Sequence, residues 1–381
     1  MREVTPRSGG PLRRGKQVIG KPLLPQKESH MKFVGVDLHK KTISLCVVVK
    51  ARGKIKVLGR KRFCCRPTEP IARYFKSLEK FQMTVESTIG YEWFVHLIEA
   101  IDDCRRVVVA HPSKMRVIAE STCKTDKIDA QILAEFLARD MIPAAWMPTP
   151  RVRQHRSLVR HRYRTQVRIT QMKNRCRGML ARYNEDRASL FTKDGWTEAM
   201  SLPLLESEKW ILCEMGAEIR TQAKFLKHAD AQLVEFAETA TAIEREQREL
   251  LATMPGVGVV TIDVVLCELG DVRRFTNSKQ IVSYAGLDPG VRESDRKRKD
   301  LGISRAGSKM LRWAMIQLAW RVVRQSARWR YRYDQLKQRR GAKKAITAIA
   351  RRQLTIIAAI LRTGECYNVH DSAKSATRKA A

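Results

Sequence analysis

The sequence predicts an α/β domain at the N-terminus, a long helical middle and a mainly helical C-terminal domain. Three observations predict it. Three β-rich runs follow one another at 33–39, 42–49 and 57–65 with short links, the pattern of an antiparallel meander. Helical and extended periodicities then alternate: helical at 71–78, extended at 83–87, helical at 91–101, extended at 106–110 and helical at 126–138. After Pro148 and Pro150 the strand patterns give way to long helical ones. A meander followed by alternating strands and helices is the order expected of an RNase-H-like α/β domain.

Charge narrows the function before any motif is read. The 381 residues hold 74 Lys and Arg against 39 Asp and Glu, a formal charge of +35. Such an excess is the footprint of a protein that works against polyphosphate, because each cation that neutralises a phosphate releases a condensed counterion. Nucleic acid is therefore the leading partner. No run approaches the roughly 20 apolar residues of a spanning helix, so no membrane is expected. Nine cysteines are scattered without a CxxC pair or histidine at zinc spacing, which reads as reduced thiols in a cytoplasmic protein with no metal finger.

The elements follow in order. Residues 1–30 carry Pro, Gly, Lys and Arg without apolar periodicity and are expected to be a disordered basic arm, with Met31 an alternative start. Residues 31–148 form the α/β domain and 149–251 a helical, coiled-coil linker region. Between Arg151 and Arg182 stand eleven Lys or Arg and no acid, a long helix with a very basic face. Arg151, Arg153, Arg156, Arg160, Arg164, Arg168, Lys173 and Arg175 are its candidate nucleic-acid contacts. A more acidic helical stretch over 206–251 repeats apolar residues at steps of three and four, and the two are expected to pair as an antiparallel hairpin. Residues 252–365 read as a third domain with helices at 259–269, 304–324 and 345–361, a stretch at 275–286 and a basic loop after it; a disordered tail covers 366–381. Pro255-Gly256-Val257-Gly258 resembles a helix-hairpin-helix turn, in which Gly256 and Gly258 let backbone N–H groups approach a phosphate. Trp313, Trp320, Trp329, Tyr331 and Tyr333 alternate with arginines, a mixture that suits unpaired nucleic acid and in part a helix core.

In so basic a chain the informative acids are those at strand ends and helix starts. Asp37 interrupts the apolar first strand, where a carboxylate needs a partner or a metal. Glu86 closes the fourth strand, and Asp126 and Asp129 stand three apart at the opening of a helix, on one face. Each acid alone has an ordinary explanation, such as a helix cap for Asp126. Brought together, the carboxylates repel one another unless cations lie between them, and oxygen ligands select hard ions such as Mg²⁺ or Mn²⁺. Two such ions can clamp the attacking and leaving oxygens of a phosphodiester.

The motifs Gly35-Val36-Asp37, Glu86-Ser87-Thr88-Ile89-Gly90-Tyr91 and Thr125-Asp126-Lys127-Ile128-Asp129-Ala130 resemble those of the DEDD transposases of the insertion-sequence 110 family, the bridge-RNA-guided recombinases. Met254-Pro255-Gly256-Val257-Gly258, Tyr284-Ala285-Gly286-Leu287, Ser294, Gly302-Ile303-Ser304 and Leu311-Arg312 resemble the same family in the same order. The resemblance implies a RuvC-like nuclease domain whose carboxylates Asp37, Glu86, Asp126 and Asp129 hold Mg²⁺, and a transposase domain whose Ser294 is the nucleophile. It also implies a covalent phosphoserine intermediate, donor and target DNA, an element-encoded structured RNA, assembly as a dimer or tetramer, and a bacterial or archaeal, nucleoid-associated location. Asp295 stands where the family usually carries glycine, and Arg296, Lys297 and Arg298 supply cations for the scissile phosphate. Ser304 is the alternative nucleophile, with an ordinary role as a helix cap. Two other functions remain open on the residues: a Holliday-junction resolvase that hydrolyses with water, and a non-catalytic nucleic-acid-binding protein.

Overall fold

The computed structural model describes residues 31–112, 114–115, 126–294 and 297–367, in two compact units divided after Met147. The basic arm expected at 1–30 lies outside the described residues, as does the tail from 368 onward. Of the tail expected at 366–381, Cys366 and Tyr367 are described, and the Tyr367 N–H donates to Thr253 Oγ1 at 2.9 Å.

The first unit is built on a five-stranded sheet of order β3-β2-β1-β4-β5, with β1 Lys32–Leu38, β2 Thr42–Ala51, β3 Lys54–Cys64, β4 Phe81–Glu86 and β5 Cys104–Ala110. The meander β1-β2-β3 is antiparallel, whereas β4 and β5 run parallel to β1 and each follows a helical crossover. The crossovers are α1 Glu69–Lys76 and α2 Tyr91–Glu99. Period-two alternation sorts the central strand between two faces. Val34, Val36 and Leu38 pack with Phe75, Phe81 and Phe94 on the α1–α2 side. Each such buried side chain contributes about 1.5–3 kcal/mol. Phe33 joins Ala130, Ala134 and Ala138 of α3 Asp126–Ala138 on the other side.

The second unit is helical. Thr149 caps α4 Pro150–Leu180, with Pro150 at the position where its missing N–H costs nothing. A short helix, α5 Lys193–Ser201, precedes α6 Glu206–Glu238. The expected helical hairpin forms, and its ends show the direction: Arg151 donates to Phe236 O at 3.1 Å, Arg162 pairs with Asp230 at 2.5 Å and Arg182 with Glu208 at 2.8 Å. The partners descend in number as the arginines ascend, so α4 and α6 are antiparallel. The stretch 206–251 is not one helix: it stops at Thr239, and Thr241 accepts from Glu244 N at 3.2 Å to start α7 Ala242–Ala252. Threonine competes for backbone groups in this way and favours caps over helix interiors.

The remaining elements are α8 Val259–Leu269, α9 Ser278–Tyr284, a hairpin of β6 Pro289–Ser294 and β7 Lys297–Ile303, then α10 Lys309–Gln325, α11 Ala327–Arg340 and α12 Ala342–Thr363. Two expectations change here, and the aromatic set divides as its partial core reading expects. The basic loop after Gly286 is the β6–β7 hairpin, held by a backbone ladder that its charged sequence does not advertise. Ser304 does not cap the following helix; Ser308 does, accepting from Leu311 N at 3.1 Å. Trp329 and Tyr333 are core residues of α11, one turn apart, whereas Tyr331 between them is exposed.

Candidate active site

Strand register assembles the first part of the site. Val36 pairs with Val85 across the parallel β1–β4 ladder, so one residue further Asp37 and Glu86 stand near the ends of adjacent strands on the same face. Glu86 in turn pairs with Ala110, and Asp37 with Ser44, which is buried. Both carboxylates stand at the C-terminal edge of parallel strands, the edge at which open α/β sheets take ligands.

Gly35 brings in the third element. A Cβ built there would stand 2.1 Å from Ala130 O and 2.3 Å from Ala134 N, so the backbone of α3 lies directly on β1 where only glycine fits. The first turn of α3, which carries Asp126 and Asp129, therefore begins about one helical turn (~5 Å) from a position two residues before Asp37. The sequence reading missed His39, whose Nε2 lies 3.0 Å from Asp37 Oδ2; the signal was a histidine two residues past the strand acid.

Among the described residues no group of three or more His, Cys, Asp or Glu is close enough to hold a metal ion. The chemistry of the donors nevertheless suits a hard divalent cation, since Asp37, Glu86 and Asp129 offer oxygen only. Thr84 Oγ1, one pleat before Glu86 on the same face, adds a buried hydroxyl with no hydrogen-bond partner among the described residues.

In the second unit Ser294 ends β6 opposite Lys297, at the tip of the hairpin. Arg296 lies outside the described residues, and Lys297 and Arg298 are placed on β7. The base of the hairpin is clamped. Ser304 N donates to Asp288 O at 2.9 Å, Ser304 Oγ to Asp288 Oδ1 at 2.5 Å, and Arg305 N to Gly286 O at 3.2 Å.

The basic helix divides into cations the fold consumes and cations it leaves to solvent. Arg156 donates to Cys267 O at 2.7 Å and Glu268 O at 2.9 Å, while Arg274 donates to Leu269 O at 3.0 Å. Together they satisfy the last carbonyls of α8, which an α-helix leaves unpaired. Arg160 pairs with buried Glu268 at 2.9 Å. Arg151 pairs with Glu244 and lies over the Phe236 ring, 4.1 Å from its centroid. Glu244 then holds Arg248, which pairs with buried Asp263 at 2.8 Å, itself 3.0 Å from His155. Arg153 is half-buried and engaged, and Lys173 sits over the Phe191 ring. Arg164, Arg168 and Arg175 are the exposed remainder.

The glycine turn joins α7 to α8 as expected from sequence, with Gly256 at φ 79° and its carbonyl accepting from Arg321 at 3.0 Å. Gly258 is the residue before α8. Beside it Tyr163, Gln166, Thr170, Trp313 and Arg321 line a groove of about 550 Å³.

Comparison with known proteins supplies the deciding observation. Residues 34–185 match the DEDD transposase model of IS110 elements, and residues 248–334 match the model of the transposase IS116/IS110/IS902 family. The chain belongs to the IS110 family of transposases. It is 27% identical over 253 residues to the transposase of insertion sequence element IS1111A of Coxiella burnetii, covering 64% of this chain and 68% of that one. The pilin gene-inverting proteins of Moraxella lacunata and Moraxella bovis are each 25% identical over 357 residues, covering 88% of this chain and 97% of theirs. An IS110-family transposase is a DNA-processing enzyme, so DNA is its substrate and recombination its activity. Its DEDD domain implies a divalent metal, in line with the oxygen donors at the sheet edge. No helix among the described residues is long and apolar enough to cross a membrane.

Proposed function

We propose that this transposase breaks and rejoins DNA strands without net hydrolysis, using Asp37, Glu86, Asp126 and Asp129 to hold Mg²⁺ (or Mn²⁺) and Ser294 as the nucleophile. The observation that carries the reading is the register that sets Asp37 beside Glu86, with α3 laid on Gly35 at Ala130 and Ala134, one turn beyond its acidic start. Bound there, the ion would neutralise phosphate charge and lower the pKa of an attacking oxygen. His39 orients Asp37 through the 3.0 Å contact. Ser294 Oγ bonds to phosphorus as one bridging P–O bond breaks, and the proton lost by serine is balanced by the one gained by the departing sugar oxygen. A sugar hydroxyl of the new strand reverses the step and frees the serine. Every phosphodiester broken is thus remade, as the inversion of a gene requires, the activity named for the Moraxella relatives.

A structured RNA from the element pairs with donor and target DNA in this reading, supported by the +35 charge and the exposed Arg164, Arg168 and Arg175. Lys297 and Arg298, with Arg296, hold the phosphate near Ser294. Gly256 and Gly258 offer the start of α8 to a backbone phosphate. The α4–α6 pair, as a coiled coil whose α6 exposes Trp210, Phe225 and Val234, serves assembly of a homodimer or homotetramer.

The test is Ser294→Ala. A denaturing gel is expected to show loss of the covalent protein–DNA adduct while RNA binding is unchanged. Persistence of the adduct moves the nucleophile to Ser304, and strand breakage by the unaltered protein with no adduct assigns a water-using nuclease.

A further inference from the structure

Ile89 is fully exposed, at 104% of its reference surface, the highest value of any large apolar residue among those described. It immediately precedes Gly90, the left-handed residue at φ 83° that opens α2. An apolar residue in that place ordinarily staples onto the fourth residue of the helix, here Phe94. Phe94 is buried in the sheet core and Ile89 stands clear of it, so the fold draws no packing energy from this side chain.

The turn that carries Ile89 is nevertheless held. Thr88 N donates to Glu86 O at 2.8 Å and Ser87 N to Ala110 O at 3.0 Å, which fixes Ile89 three residues beyond a carboxylate of the site. Trp93, the third residue of α2, is also exposed, and its ring meets Phe94 edge-on at 5.6 Å. Because β1 and β4 are parallel, the connection after β1 lies at the same sheet edge, and it carries exposed Lys40 and Lys41. The sheet edge that carries the carboxylates thus also carries two exposed cations and an apolar projection. Phosphates attract the first, and base faces accept the second.

We infer that Ile89 is a wedge that inserts between two bases of the DNA strand at the carboxylates and unstacks that step. Apolar side chains placed this way kink and open DNA at the cost of stacking. Lys40 and Lys41 hold the neighbouring phosphates, and the displaced base leaves its phosphate beside Glu86. The wedge is a positioning residue and rests on the reading of Asp37 and Glu86 as the site of strand breakage.

The experiment uses the full-length protein with Asp37→Asn, purified with the RNA that accompanies it. It is bound at saturation to duplex DNA of the joined element ends, with 2-aminopurine replacing each adenine in turn. A severalfold rise in fluorescence is expected next to the position where the unaltered protein breaks the strand. Adding Ile89→Ala is expected to remove the rise, Ile89→Leu to keep it, and both to leave the melting temperature unchanged. An equal rise with Ile89→Ala, or none at any adenine with Ile89 present, overturns the wedge. Failure of the carboxylate reading shows itself separately, as strand breakage that survives Asp37→Asn.

Discussion

Gly35 bears more on the site than any of its acids, because its missing side chain is what admits α3. The Cβ of Gly35→Ala would meet backbone atoms at 2.1 and 2.3 Å, and neither can swing aside as a flexible side chain would. Overpacking of this kind costs about 1–3 kcal/mol. The expected outcome is a lowered melting temperature together with loss of strand breakage, whereas Asp37→Asn removes breakage and leaves melting nearly unchanged. A second residue-scale expectation concerns thiols. Burial pushes the Cys267 thiol well above its ordinary value, so at neutral pH it carries almost no thiolate, the form that reacts. Mass spectrometry after iodoacetamide is expected to find exposed Cys213 and Cys366 alkylated and Cys267 modified only after unfolding. Cys123 lies outside the described residues.

At the scale of elements, α4 is two helices in one. Its N-terminal arginines are structural: Arg156 caps α8, Arg160 neutralises buried Glu268, and Arg151 reaches Asp263 through Glu244 and Arg248. Removing Arg156 takes its guanidinium donors from two carbonyls at a buried helix end, at a cost of about 1–3 kcal/mol. Replacing Arg164, Arg168 and Arg175 removes charge that the fold does not use. Arg156→Gln is therefore expected to lower the melting temperature, and the triple Gln variant to leave it in place. The triple variant should instead flatten the dependence of nucleic-acid affinity on salt, by about 0.9 in slope for each phosphate no longer neutralised. Equal effects of the two changes on melting would refute the division. The hairpin is likewise held by its backbone ladder and by Asp288 and Ser304 at its base.

For the whole molecule, the sheet and the helical unit have separate cores, one around Phe75, Phe81 and Phe94 and one around Leu251, Leu311, Met315 and Leu354. The carboxylates belong to the first and Ser294 to the second. A net charge of +35 predicts that nucleic-acid binding falls steeply as salt rises, measured as the slope of log affinity on log salt. RNA recovered with the protein from cells carrying its flanking DNA is expected to be one discrete species; random RNA alone would contradict a guide.

The sequence by itself determined the order of strands and helices in the first unit, the pairing of the two long helices, and the acids at strand ends and helix starts. Period-two and period-3.6 patterns are local, and a carboxylate in an apolar strand is conspicuous wherever the chain goes. Tertiary structure alone decided which arginines of α4 are spent inside the protein, because their partners lie at Phe236, Glu244, Cys267 and Glu268, far along the chain. It also decided the hairpin at Ser294 and the cap at Ser308, where backbone ladders and short-range hydrogen bonds outweigh side-chain pattern. The exposure of Ile89 belongs there too, since no periodicity distinguishes a residue that staples a helix from one that points into solvent.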